Sequence, residues 1–227
     1  MLGRANDKLK RFDLGIKSMI YIIKEIPDCQ MKILSQINKS NSLIHLVLKL
    51  KLINHIKFLG YSSKPEIYFK NASLHIFPSI SESFGLVLSE TKIYGIPNIL
   101  IGLDYLSISD GGTVIIYDDR PESIAIEAIK ILNNNIYRQK LGKEARQSMK
   151  KFQNQLLLKR WNQLILSIYN GDNYYQLLRE KGPKITEEYA IKIIKNQINL
   201  LKRRNKYFNN ITLKDLCNFT KMQNLKI

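Results

Sequence analysis

The chain has 227 residues, 44% hydrophobic and 24% charged, with Lys+Arg 36 against Asp+Glu 19 and a formal net charge of +17. That length and apolar share support a sizeable core in one or two domains, and 11 Gly with 6 Pro exclude collagenous or linker-like material. The longest runs free of charged residues (71–81, 93–103 and 161–171) have eleven positions each, about half of the roughly 20 that a membrane-spanning helix needs.

The chain opens Met1-Leu2-Gly3-Arg4 without an apolar signal stretch, which points to the cytosol. Asp13 is a candidate cap for a helix whose apolar positions Ile16, Met19, Ile20 and Ile23 share one face, ending near Pro27. Met31–Leu34 reads as a strand, 43–52 as a helix, and Ile56–Leu59 before Gly60 as the next strand. Pro65 begins a short helix to about Asn71, and Leu74–Phe77 is a strand ending at Pro78. A helix follows from about Phe84 to Tyr94, then the turn Gly95-Ile96-Pro97 and the strand Asn98–Ile101. After Gly111-Gly112, Thr113–Tyr117 is a further strand, and Pro121 sits where a first helical residue is expected. This alternation predicts an α/β fold, a Rossmann-like doubly wound parallel sheet whose ligands lie beyond the carboxyl ends of its strands. His75, inside a strand, reads as a satisfied core residue.

Beyond 133 the strands stop. Leu141, Ala145 and Met149 space one helix, Trp161, Leu164, Ile165 and Ile168 another, and Ile191, Ile194, Ile198 and Leu201 a third. Gly171-Asp172-Asn173 is the expected break, so 1–170 forms the α/β domain and 171–227 a basic helical extension. Residues 1–132 carry 16 basic and 13 acidic side chains, whereas 133–227 carry 20 and 6. So lopsided a charge suits an anionic membrane surface. A biased base composition accounts for it equally, because Ile, Asn and Lys run high throughout. Cys29 and Cys217 lie far apart without Cys or His neighbours, the pattern of reduced structural thiols and not of a disulfide or zinc site.

The chemistry concentrates in Pro78-Ser79-Ile80-Ser81-Glu82-Ser83-Phe84-Gly85-Leu86-Val87-Leu88-Ser89-Glu90. A strand ends, a polar turn carries one carboxylate, and a glycine opens a helix holding a second. Free N–H groups at a helix start attract phosphate, and Gly85 lets a ligand approach the backbone. Glu82 and Glu90 flank that anion site as acceptors for hydroxyls at opposite ends of an elongated ligand, which describes a nucleotide sugar. A solvated helix carrying two unrelated glutamates is the plain alternative. On the same edge of the predicted sheet, Gly3-Arg4 and Lys8 or Lys10 offer a planar fork and a point charge for a departing diphosphate.

Gly3-Arg4…Lys10, Glu82-Ser83-Phe84-Gly85…Glu90 and Gly95-Ile96-Pro97, in that order and spacing, resemble the C-terminal, donor-binding half of family-4 retaining glycosyltransferases of the GT-B fold. The resemblance covers roughly 1–166. It implies transfer of a hexose-type sugar from a UDP- or GDP-linked donor to a glycan or lipid-linked acceptor, with retention of configuration and without cofactor or metal. By the same resemblance, Arg4 and Lys10 hold the diphosphate and Glu82 binds sugar hydroxyls. Gly3, Ser83, Phe84, Gly85 and Leu86 line the donor, and Glu90 binds the ribose. Enzymes of this kind carry their acceptor site on an N-terminal domain, so a separate chain bearing that domain is an expected partner. A non-catalytic or truncated nucleotide-sugar-binding module is the alternative. Nucleic acid is not an expected partner, and a soluble enzyme at the inner face of a membrane suits both the acceptor and the basic extension.

Overall fold

A computed structural model describes residues 1–5, 7–36, 42–103, 106–172 and Ile198. Five short strands alternate with helices: α1 (Phe12–Glu25), β1 (Met31–Ile33), α2 (Ser42–Lys49), β2 (Ile56–Phe58), α3 (Glu66–Phe69), β3 (His75–Phe77), α4 (Leu86–Ile93), β4 (Asn98–Ile101), β5 (Thr113–Ile116) and α5 (Pro121–Asn133). Two further helices, α6 (Asn135–Ser148) and α7 (Asn154–Tyr169), end the described domain.

All strand pairs are parallel, as the alternation predicts. Where one continuous sheet is expected, the described strands form two: β1 pairs with β2, Met31 opposite Ile56, and β3, β4 and β5 form a separate three-stranded sheet with Ile76 opposite Ile99 and Ile99 opposite Val114. The chain start runs alongside β1. Leu2 bridges Leu34, the Leu34 N–H donates to Met1 O (3.0 Å), and the Gly3 N–H donates to Leu34 O (3.2 Å).

Side-chain alternation divides the strands between two cores, which is what a sheet covered on both faces requires. Ile76, Ile99, Ile101 and Ile116 face a cluster with Ile16, Met19 and Ile22 of α1 and Ile124, Ala128 and Ile131 of α5. Phe77 and Leu100 face the opposite cluster, with Leu88 of α4 and Leu103, Leu106 and Ile108 of the segment after β4.

Several ends move for local reasons. The first helix begins at Phe12, so Asp13 lies in its first turn and is not its cap. Arg11 precedes it in the left-handed region (φ 48°), and Asp7 caps a 3-10 turn over Lys8–Lys10 by accepting from the Leu9 N–H. α2 stops at Lys49, short of Leu52, because Lys51 turns left-handed (φ 56°) and the Leu52 N–H reaches back to Val47 O at 3.0 Å. α4 starts at Leu86 and not Phe84, since Gly85 takes φ 87° and ψ 58°, outside the helical region. Pro121 does open α5.

The helix expected around Trp161, Leu164, Ile165 and Ile168 is α7. Trp161, Ile165 and Ile168 are exposed, while Leu164 is half-buried and Ser167 buried on this helix, which contacts the 3-10 turn Met149–Phe152. The extension expected from 171 lies outside the described residues apart from Gly171, Asp172 and Ile198, and so does Cys217. No described helix is long and apolar enough to cross a membrane.

Candidate functional site

Three connections converge at the carboxyl edge of the sheet. The Ala5 N–H donates to Ser35 Oγ (2.8 Å), joining the segment after Gly3 to the turn after β1. The Ile80 N–H donates to Leu9 O (2.9 Å), fastening the loop after β3 to the 3-10 turn. That second bond places Lys10 beside Glu82. Lys10 Nζ donates to Glu82 Oε1 across 72 positions of sequence, with side chains only 19% and 12% exposed. Such shielding makes the pair stronger than a surface ion pair and penalises removal of either partner.

Arg4 stands apart from that pair. Its guanidinium, 83% exposed, is held by Asp7 Oδ2 at 3.3 Å. Lys8, the rival to Lys10, is exposed. The turn geometry decides between the two lysines: Arg11 N–H closes onto Lys8 O (3.4 Å), and Leu9 O is taken by the β3 loop, so Lys10 is directed across the gap.

α4 begins beside this pair. Gly85 is buried, Ser83 and Leu86 are exposed, and Phe84 packs edge-on against Phe152 with centroids 5.4 Å apart. Glu90 lies half-buried in the second turn of α4. Burial raises its carboxyl pKa above the ordinary value, and it makes no ion pair among the described residues. Glu82 and Glu90 therefore occupy distinct settings, one neutralised by a lysine and one a partly desolvated acceptor.

His75 is a core residue, as expected, but it is only half satisfied, because its Nε2 is buried without a hydrogen-bond partner. Its Nδ1 donates to Asn98 Oδ1 at 2.7 Å, and the Asn98 amide is oriented by donating to Ile96 O at 2.8 Å. Burial pushes its pKa down to about 3, so the ring is neutral. Among the described residues no group of three His, Cys, Asp or Glu side chains could hold a metal ion.

Two charged residues escaped the sequence reading. Arg11, 6% exposed, pairs with Asp13 (3.2 Å) and with Asp119 (3.8 Å), tying the first loop to the loop after β5. Nothing local marks it, because its burial depends on a residue more than a hundred positions away. Lys92 is fully buried in α4. Here a signal existed, since Lys92 follows Leu88 by four positions and so shares its inward face.

A parallel α/β domain with a cation–carboxylate pair at the carboxyl ends of its strands, beside a helix that opens after Gly85, places the chain in the class of Rossmann-like α/β folds. Within that class the chain belongs to the glycosyl transferases group 1 family, whose model matches residues 1–148. An uncharacterized glycosyltransferase of Methanocaldococcus jannaschii is 27% identical over 143 residues, 61% of this chain and 40% of that protein. The D-inositol 3-phosphate glycosyltransferase of Paenarthrobacter aurescens is 29% identical over 154 residues, 64% of this chain and 38% of that one. Among solved structures, a mutant of S. aureus TarM in complex with fondaparinux, alpha-GlcNAc-glycerol and UDP matches the fold with a TM-score of 0.64 at 19% identity, over 72% of this chain and 34% of that one. The chain thus spans two-fifths or less of the length of these proteins.

Proposed function

We propose that this chain is the donor-binding half of a retaining glycosyltransferase, acting on a UDP- or GDP-linked hexose and completed by an acceptor-binding domain. The observation that carries this reading is the shielded Lys10–Glu82 pair next to the amino end of α4, at the crevice where a parallel sheet of this kind takes its ligands.

In this reading the diphosphate lies against the N–H groups at Phe84, Gly85 and Leu86 and shares Lys10 with Glu82. Arg4, on its exposed loop beside Gly3, exchanges Asp7 for a phosphate oxygen. Glu82 and Ser83 take hydroxyls of the sugar, and Glu90 takes the ribose. Transfer breaks the bond between the anomeric carbon and the phosphate oxygen and forms a bond to the acceptor oxygen on the same face of the sugar. The acceptor's proton leaves with the diphosphate. The protein's contribution is electrostatic: cations and backbone donors placed beforehand where the leaving group gains charge. Two cations supply the compensation a metal supplies in other transferases.

The chain covers two-fifths or less of its relatives' length, and the acceptor-binding domain of this reading is a part it does not cover. The basic residues from 171 onward suit a lipid-linked acceptor at an anionic surface from the cytoplasmic side. A thermal-shift panel of UDP, GDP and their sugars tests the reading. One nucleotide series raises the melting temperature, and Glu90→Ala reduces that rise. Unchanged melting with every member of the panel refutes it.

A further inference from the structure

Lys92 is a lysine with no exposed surface on the helix that opens at the proposed donor site. Its Nζ donates to Ile108 O at 2.5 Å and to Asp110 O at 2.6 Å. A buried ammonium is costly, and an apolar side chain of like volume fills such a position without desolvation. Burial lowers the Lys92 pKa to about 8, opposed by nearby Asp110 and reinforced by Lys151. What the amine supplies that an apolar residue does not is two directed bonds to one loop.

That loop follows β4 and lies under the amino end of α4. A Cβ placed on Gly85 would sit 3.6 Å from both Leu106 Cδ1 and Ile108 Cγ2, so these two side chains form the floor beneath Gly85. Lys151 ties the same loop from outside, donating to Ser107 O (2.6 Å) and Asp110 Oδ2 (3.3 Å). Phe152, its neighbour, packs on Phe84.

We infer that Lys92 is a positioning residue for the donor: it clamps residues 106–110 beneath Gly85 and thereby holds the N–H groups at the start of α4 where a diphosphate meets them. The inference rests on the donor reading above.

The test compares wild type with Lys92→Met and with Ile131→Ala, a buried truncation in the opposite core. Calorimetric titration with UDP and GDP is run well below every melting temperature. Lys92→Met binds the preferred nucleotide about tenfold more weakly, as expected when donors shift by a fraction of an ångström. It also exchanges backbone amides faster over 84–88 and 106–112. Ile131→Ala melts lower yet binds as wild type does. Lys151→Met loosens the same loop without opening the core, weakens binding several-fold, and decides the matter if Lys92→Met does not fold. Wild-type affinity within twofold in either lysine variant overturns the clamp alone, as does an equal loss in Ile131→Ala. If the wild type binds neither nucleotide, the donor reading falls and the clamp falls with it.

Discussion

Replacing Gly85 with alanine isolates the backbone conformation from every side-chain contact at the site. Gly85 sits at φ 87° and ψ 58°, where a Cβ meets the following carbonyl at a cost of about 1–2 kcal/mol. The surroundings add no clash, because the new methyl would stand 3.5 Å from Leu88 Cβ and 3.6 Å from Leu106 and Ile108, ordinary contact distances. Alanine also restricts the unfolded chain, which returns about 0.4–1 kcal/mol. The net destabilisation is roughly 1 kcal/mol, which in a chain of this size lowers the melting temperature by about 2–4 °C. Asparagine tolerates the left-handed region better, but its amide would be buried against Leu88, Leu106 and Ile108, so Gly85→Asn should lose at least as much. Differential scanning calorimetry of the three proteins reads this directly, and UDP titration should show about tenfold weaker binding for Gly85→Ala as the helix start relaxes. An unchanged melting temperature in Gly85→Ala would refute the argument. A smaller loss for Asn than for Ala would mean that φ outweighs burial of the amide.

Glu90→Gln separates function from stability. Burial holds the folded pKa of Glu90 above its ordinary 4.5, so between those values the folded state keeps a proton that the unfolded state has released. Stability therefore declines as pH rises through that window, and the full cost remains above it. The glutamine variant should melt at or above wild type at pH 7.5 and lose that advantage near pH 4, while binding nucleotide about tenfold more weakly through loss of a charge-assisted bond. A destabilised variant at neutral pH with intact binding contradicts both halves. His75 titrates oppositely, because a folded pKa of about 3 against 6.5 means that the unfolded chain takes the proton first. Stability should fall by up to about 1.4 kcal/mol per pH unit below 6.5. Urea unfolding at several pH values should find that share of the slope missing in His75→Gln, and an identical slope would disprove it.

The alternation of strands and helices was legible in the sequence because it rests on interactions a few residues long. Short continuous apolar runs such as Ile99–Ile101, the proline that opens α5 and the glycine before α4 each act within one or two turns of chain. The placing of Glu82 before that helix and Glu90 within it is local in the same sense, and it survived the shift of the helix start from Phe84 to Leu86. What local pattern could not settle was which cation meets which carboxylate. Lys8 and Lys10 are equivalent as sequence. The choice falls to Lys10 because a left-handed Arg11 closes the 3-10 turn and the loop after β3 bonds to Leu9 O, a contact across about seventy residues.

The same holds for charge and burial generally. A lysine or arginine reads as solvated unless its partners are known, and the partners of Lys92 and Arg11 come from loops after other strands. The α7 stripe shows the reverse: Trp161, Ile165 and Ile168 have inward spacing, yet only the packing of neighbouring elements determines whether a face has anything to lie against. Sequence alone determined the elements and the spacing of the carboxylates, since both depend on short-range geometry. The assembled sheet decided the ion pairs and the buried lysine, because electrostatics inside a fold depends on distance through space.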